Sequence, residues 1–382
     1  MSKIIENIQS IAQKINKIET EKDKFAKIFS DLKYEFDFKL ISSLIMNDIS
    51  ENKLVYKVLP TSLSGLSIAG IDGGIIAKNF YNFDLIATRA VACIFEFHKD
   101  KPYVTYFPEK SPTPNIIPNI TPLNQNESEL FISLERLKKE LDLAISMTNK
   151  SNRPNLIVLD GSILPLPSDK PHTSSKIFIE YQKIIEKYQI LFENCIEKNI
   201  LLAGCIKDSR SRRFASFLGK IIPKLIDHYP RLNLILDLDY RSMITQIYDC
   251  ELLYRILEVN ERTCIMSYSD SPENHNILKD FDKKMVDKFK IFYLKSVPFD
   301  FPMRIEFLTL NSSPISTANK ISAALLPLAC HHVEFAVPSI LIEADARAKL
   351  MESDMDILYN ILEQNLGLKN YLKLRRNRRP FR

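Results

Sequence analysis

The chain is 382 residues long and 45% hydrophobic, with 52 Lys and Arg against 47 Asp and Glu. A net charge of +5 over that length excludes a bulk nucleic-acid coat, so any anionic partner must be met by local basic patches. Six cysteines without CxxC spacing argue against a zinc site or disulfide framework. No apolar run reaches the roughly 18–20 residues of a membrane span, and the N-terminus carries no apolar signal region, so a cytoplasmic protein without a membrane partner is expected.

In chain order, residues 3–32 place Ile4, Ile8, Ile11, Ile15, Ile18, Phe25 and Leu32 mostly three and four apart. This predicts an amphipathic N-terminal helix with heptad character, the main part of an N-terminal helical segment, 1–60. The apolar run 66–71 then ends in Asp72, Gly73 and Gly74. It reads as a buried strand that delivers Asp72 to its carboxyl end, with the glycines turning the chain and leaving room for a close approach. Strands are predicted over 83–97 and 103–107, joined by a short turn. Pro108, Pro112, Pro114, Pro118 and Pro122 exclude helix and central strand from the next segment. A helix over 127–148, a strand over 156–160 ending in Asp160, a helix over 174–198 and a strand over 200–206 follow. Beyond Phe214 the pattern predicts strands at 232–238, 291–294 and 303–308, and helices at 249–259, 316–333 and 339–350. Residues 351–382 read as a helical extension and a basic tail with Arg375, Arg376, Arg378, Arg379 and Arg382.

Three hairpin-connected strands followed by two strands each reached through a helix give the order β-β-β-α-β-α-β. That is the order of the ribonuclease H-like fold: α/β, a mixed β-sheet flanked by helices. The core is expected over about 66–206 of a domain spanning 61–350.

Asp-Gly after a strand is by itself an ordinary turn signal. Two such acids at neighbouring strand ends are a different matter. Asp72 and Asp160 would form a paired-carboxylate site for a hard cation, Mg²⁺ or Mn²⁺. Two ions held by carboxylates suffice to hydrolyse a phosphodiester. The intervening helix offers Glu127, Glu129, Glu135 and Glu140; Glu140, beside the apolar stripe, is the first choice and Glu135 the second. Lys207 is placed to neutralise a phosphate, and Arg210, Arg212 and Arg213 to extend a nucleic-acid surface. His331 and His332 sit near Glu334, but adjacent histidines point apart and HExxH is absent. There is no GxSxG, P-loop or GxGxxG after a strand. Asp-Gly-Gly can also cradle ATP phosphates, as in an actin-like phosphotransferase, but a second phosphate loop is missing.

The chain resembles the NurA nuclease family through six short blocks in order. These are G-I-D-G-G at 70–74, L-D-G-S-I at 159–163, G-C-I-K-D-S at 204–209, and the stretch 248–263. I-F-Y-L at 291–294 with M-R-I-E-F at 303–307 follows, then P-S-I-L-I-E-A-D-A-R-A at 338–348. The resemblance implies a homodimeric DNA nuclease favouring Mn²⁺, acting with a HerA-type hexameric ATPase in DNA end resection for recombinational repair, as a 5′ to 3′ exonuclease or single-strand endonuclease. It implies Asp72, Glu140 and Asp160 as metal ligands. Asp345 stands where the family pattern has a histidine, so either Asp345 or one of His331 and His332 would complete the site. The alternative is a weakened NurA-like subunit that scaffolds or regulates the ATPase.

Overall fold

The computed structural model describes residues 2–41, 48–80, 83–99 and 101–366, so the basic tail lies outside the described residues. In chain order, α1 (Ser2–Leu32) and β1 (Val55–Lys57) precede β2 (Ser67–Asn79), β3 (Asp84–Phe97), β4 (Pro102–Phe107) and β5 (Asn115–Asn119). Then come α2 (Gln125–Thr148), β6 (Leu156–Asp160), α3 (Phe178–Glu197), β7 (Leu201–Ile206), α4 (Arg213–Leu225), α5 (Tyr240–Gln246) and α6 (Asp249–Ile256). The remainder holds β8 (Glu261–Thr263), β9 (Met266–Ser267), α7 (Lys283–Val286), β10 (Phe289–Lys295), β11 (Met303–Leu308), α8 (Pro314–Leu328), α9 (Ser339–Ala348) and α10 (Glu352–Leu366). Two compact units share these elements: Met1–Ser62, Cys205–Pro272 and Asp287–Pro338 make one, and Leu63–Gly204, Glu273–Val286 and Ser339–Arg382 the other.

The second unit carries the mixed sheet expected from the sequence. Its strand order is β7-β6-β2-β3-β4, with β5 against the start of β3. β2 pairs antiparallel with β3 and parallel with β6. Central β2 is buried along 68–72 because its neighbours close both edges. Helices α2 and α3 pack on one another, and α2 and α9 both pack on β2 and β3. Asn124 caps α2 by accepting from Glu127 N (3.0 Å) in a capping box. The proline-rich stretch contributes β5, a short edge strand in which Pro118 lies opposite Leu85; an edge tolerates the missing donor.

β2 does not stop at Asp72. It runs seven residues further, pairing through Gly73↔Ala90 and Gly74↔Arg89, and neither glycine has positive φ. The turn expected there is replaced by close approach. A Cβ on Gly70 would lie 2.9 Å from Ile340 O, and one on Gly74 would lie 1.9 Å from Ala348 O. Residues 70, 72 and 74 share a strand face, so these bare positions let the backbone of α9 rest on that face. Gly74→Ala is expected to destabilise the fold by about 1–3 kcal/mol, because the obstacle is backbone and cannot rotate away; denaturant melting of the variant measures it.

The first unit holds the antiparallel strands β1-β8-β10-β11, with β9 on β10. Its core gathers Phe25, Phe29, Phe36, Phe38 and Phe217 with the apolar faces of α4 and α6. The strand expected over 232–238 is instead a 3₁₀ helix, Pro230–Ile235. Leu232 and Ile235 are buried and Leu234 and Leu236 exposed, a spacing of three that follows the helix set by Pro230. Five cysteines are buried and Cys330 is exposed; all six are free thiols. Among the described residues no helix is long and apolar enough to cross a membrane.

Candidate active site

The parallel register of β2 and β6 pairs Ile68 with Leu156 through Ile71 with Leu159. Continued by one residue, it sets Asp72 beside Asp160. Neighbouring strands lie roughly 4.8 Å apart and parallel partners point to the same face, so these two carboxylates are forced together by the sheet itself. Asp72 is 8% exposed, and its Oδ1 accepts from Gly73 N at 2.7 Å. Its pKa is pushed up to about 7, first by burial, then by the charge of Asp160, with a further contribution from Asp345.

Glu140 comes to the same place from α2. A Cβ on Gly73 would lie 2.5 Å from Glu140 Oε1, so the carboxylate rests against the bare backbone next to Asp72. Burial pushes the Glu140 pKa up to about 8; Arg136 opposes this, while Asp72 and Asp160 add to it. Arg136 Nη1 donates to Glu140 Oε1 at 2.8 Å, one helical turn away.

The other acids of α2 are engaged elsewhere. Glu127 serves the cap and accepts from Ser175, Glu129 accepts from Gln125, and Glu135, though buried, accepts from Lys138 at 3.2 Å. Asp345, exposed on α9, is near enough for its charge to raise Asp72. His331 and His332 belong to the other unit, both exposed. His331 Nδ1 lies 3.3 Å from Leu328 O, and His332 Nδ1 accepts from Glu334 N at 3.2 Å.

The basic residues also fall in that unit. Lys207 and Arg210 are exposed in the segment after β7, and Arg212 is exposed while donating to Thr245 O. Arg213 departs from its expected surface role: it is 8% exposed, with Nε donating to Ser267 O (3.1 Å) and its guanidinium paired with Asp48. It opens α4 and faces inward, so its charge is spent inside the unit. Sequence reasoning missed the acid that organises this region. Asp249, fully buried, accepts from Phe214 N and Ala215 N at 3.0 and 2.9 Å and from Tyr293 Oη at 2.6 Å. Its sequence signals are an acid opening the apolar helix α6 and its place in the block at 248–263, which by itself assigns it no role.

Among the described residues no three or more His, Cys, Asp or Glu side chains are gathered closely enough to hold a metal ion as they stand. The donors nonetheless suit a hard divalent cation: all are carboxylates, Asp72 is buried, and the acids raise one another's proton affinity. Glu140 is turned onto Arg136, and a rotation about its side chain would change its spacing to the aspartates without moving the backbone.

A family model for the NurA domain matches residues 66–350. The chain belongs to the NurA family. The fold is similar to the crystal structure of the NurA nuclease from Sulfolobus solfataricus, with TM-score 0.53 and 16% identity over 96% of this chain and 97% of that one. A crystal structure of NurA matches with TM-score 0.44 and 13% identity over 95% of this chain and 98% of that one. A crystal structure of NurA with manganese matches with TM-score 0.40 and 14% identity over 94% and 98%. No curated protein matches the chain. Asp72, Glu140, Asp160, Lys207 and Asp345 fall within the NurA domain, so every candidate carboxylate lies in the matched region.

Proposed function

We propose that this NurA-family chain is a divalent-cation-dependent DNA nuclease whose ions are held by Asp72, Asp160 and Glu140, with Asp345 on the far side. One observation carries the reading: Asp72, buried beside Asp160 in a fixed sheet register, is pushed to a pKa of about 7. Crowding like charges in a buried place is costly unless something neutralises them. When bound, Mn²⁺ or Mg²⁺, as one ion or a pair, supplies positive charge for the phosphate and lowers the pKa of an attacking water. The chain's own part is positional. The β2–β6 register fixes two acids rigidly. Gly73 leaves space for the third. Arg136 holds Glu140 near the strand and leans its charge against repulsion among the acids. Lys207, Arg210 and Arg212 are proposed to meet the DNA backbone; Arg213 is not among them. Family membership supports a HerA-type hexameric ATPase as partner in end resection, and co-elution of the two purified proteins tests that pairing.

A second reading, a NurA-like subunit that scaffolds the ATPase without cutting, is favoured by the lack of three acids at ligand spacing among the described residues and by Asp345 in place of a histidine. End-labelled linear DNA incubated with Mn²⁺, Mg²⁺ or EDTA separates the two. Cleavage with a metal, absent with EDTA and lost by at least about 10³-fold in Asp160→Ala, is the expected result. Cleavage surviving in Asp160→Ala would remove the site assignment. Intact DNA in every lane, with the ATPase present, would favour the scaffold.

A further inference from the structure

Helix α9 lies on the face of β2 that carries Asp72. Its last turn holds Asp345: Lys349 N donates to Asp345 O at 2.9 Å and closes that turn. Two further carbonyls follow, Ala348 O and Lys349 O, at an end where the helix has no more N–H groups to offer. Arg89 serves both. Its Nε donates to Ala348 O at 3.0 Å, and its Nη2 donates to Lys349 O. Arg89 stands on β3 directly opposite Gly74, and cross-strand partners share a face. Gly74 has no side chain, so the carbonyl of Ala348 comes down onto the strand within reach of the guanidinium. The grip is bidentate, and it sets a positive charge at the negative end of the helix.

What this clamp fixes is the place of one acid. Asp345 is exposed, and among the described residues no donor holds its carboxylate, so the turn of backbone beneath it decides where that carboxylate stands. From that turn its charge reaches Asp72. Asp72 and Gly74 lie two residues apart on one strand face, so the clamp is applied beside the acid it serves. Further up the helix, Tyr106 Oη donates to Glu343 Oε1 at 2.7 Å and Ile340 rests on Gly70. Those contacts hold the first half of α9, whereas the end that bears Asp345 is held by Arg89. The charge of Arg89 is spent on the helix and not on the acids. Among the described residues both of its hydrogen bonds go to carbonyls, and the cation that opposes the rise at Asp72 is Arg136.

We propose that Arg89 is a positioning residue: by gripping both C-terminal carbonyls of α9 it sets where Asp345 stands toward Asp72, and so how tightly the site takes a divalent cation. The inference rests on the reading of Asp72 and its neighbours as the cation site, and the test separates the two. Mn²⁺ is titrated calorimetrically, without DNA, at pH 8.5, above the pKa values of Asp72 and Glu140. The proteins are the unaltered chain, Asp72→Asn, Arg89→Gln, Arg89→Lys, Asp345→Asn and Arg89→Gln combined with Asp345→Asn. Arg89→Gln is expected to bind about tenfold more weakly. Arg89→Lys keeps the charge but loses the planar fork, and should be weakened by at least about threefold. In the Asp345→Asn background the glutamine should change affinity by less than about twofold, since the residue through which Arg89 acts is already gone. A merely structural role would lower the melting temperature without this coupling. If the glutamine variant melts below the assay temperature, the same cycle is run with the lysine. An equal loss in both backgrounds would overturn the proposal. So would full affinity in Arg89→Lys, which would mean that charge suffices without the grip. Binding unchanged in Asp72→Asn would overturn the site itself, whatever the Arg89 variants do.

Discussion

Gly73→Ala is expected to lower DNA cleavage about 10²-fold while leaving the protein folded. The added Cβ would lie 2.5 Å from Oε1, 2.7 Å from Cγ and 3.0 Å from Cδ of Glu140. Every one of those atoms belongs to the end of a flexible side chain, so the fold yields by swinging Glu140 aside and not by moving the sheet. Within a strand, alanine in place of glycine is otherwise mildly favourable. The cost falls on the site: a displacement of about 1 Å in a catalytic group is worth roughly 10²-fold in rate. Gly74→Ala supplies the contrast, since its obstacle is the carbonyl oxygen of Ala348 and the damage falls on the fold. Cleavage rates and melting curves of the pair resolve the two roles. Full activity in Gly73→Ala would mean that Glu140 does not act where it stands.

Asp72→Asn is expected to abolish cleavage and, without metal, to stabilise the protein at alkaline pH. Asp72 and Glu140 have folded pKa values of about 7 and 8, well above those of free carboxyls. A raised acid pKa means that the folded protein binds protons more tightly than the unfolded chain. The contribution of the two acids to metal-free stability is therefore fully present below about pH 4 and is lost as pH rises through about 7 and 8, where the folded protein too must ionise these acids. The amide removes one such charge, and a gain of about 1–3 kcal/mol at pH 8.5, shrinking toward pH 5, is the expected size. A divalent cation acts in the opposite sense. It binds the ionised acids, so Mn²⁺ should raise the melting temperature of the wild type more at pH 8.5 than at pH 5.5, and should do little to Asp72→Asn. Melting scans at the two pH values, with Mn²⁺ or EDTA, read both effects. A cation-induced shift of equal size in Asp72→Asn would place the ion elsewhere.

The carboxylate pair is legible in the sequence because two independent apolar runs close on the same Asp-Gly grammar. L-I-V-L-D-G at 156–161 does end as written: β6 stops at Asp160, and Gly161 has φ +126°, a backbone that only glycine takes freely. S-I-A-G-I-D-G-G looks alike and behaves differently. The two glycines after Asp72 are strand residues kept bare for neighbours that arrive from far along the chain, Glu140 and Ala348. Local sequence cannot distinguish a glycine that turns from a glycine that is approached, since the approaching atoms are not local. The same limit explains 232–238, where alternating leucines imitate a strand but only every third residue finds a core.

What the sequence determined by itself is the order and type of the elements around the site, because hydrophobic period and turn residues are properties of contiguous stretches. It also marked Asp72 and Asp160 as a pair, and it wrote the isoleucine repeat of the N-terminal arm. Only the tertiary structure decided which glutamate of α2 stands at Gly73, that Asp345 on α9 comes near enough for its charge to reach Asp72, and that Arg213 turns inward to Asp48. Those choices depend on burial and on charges brought together across the chain. They appear only when strands and helices distant in sequence pack together.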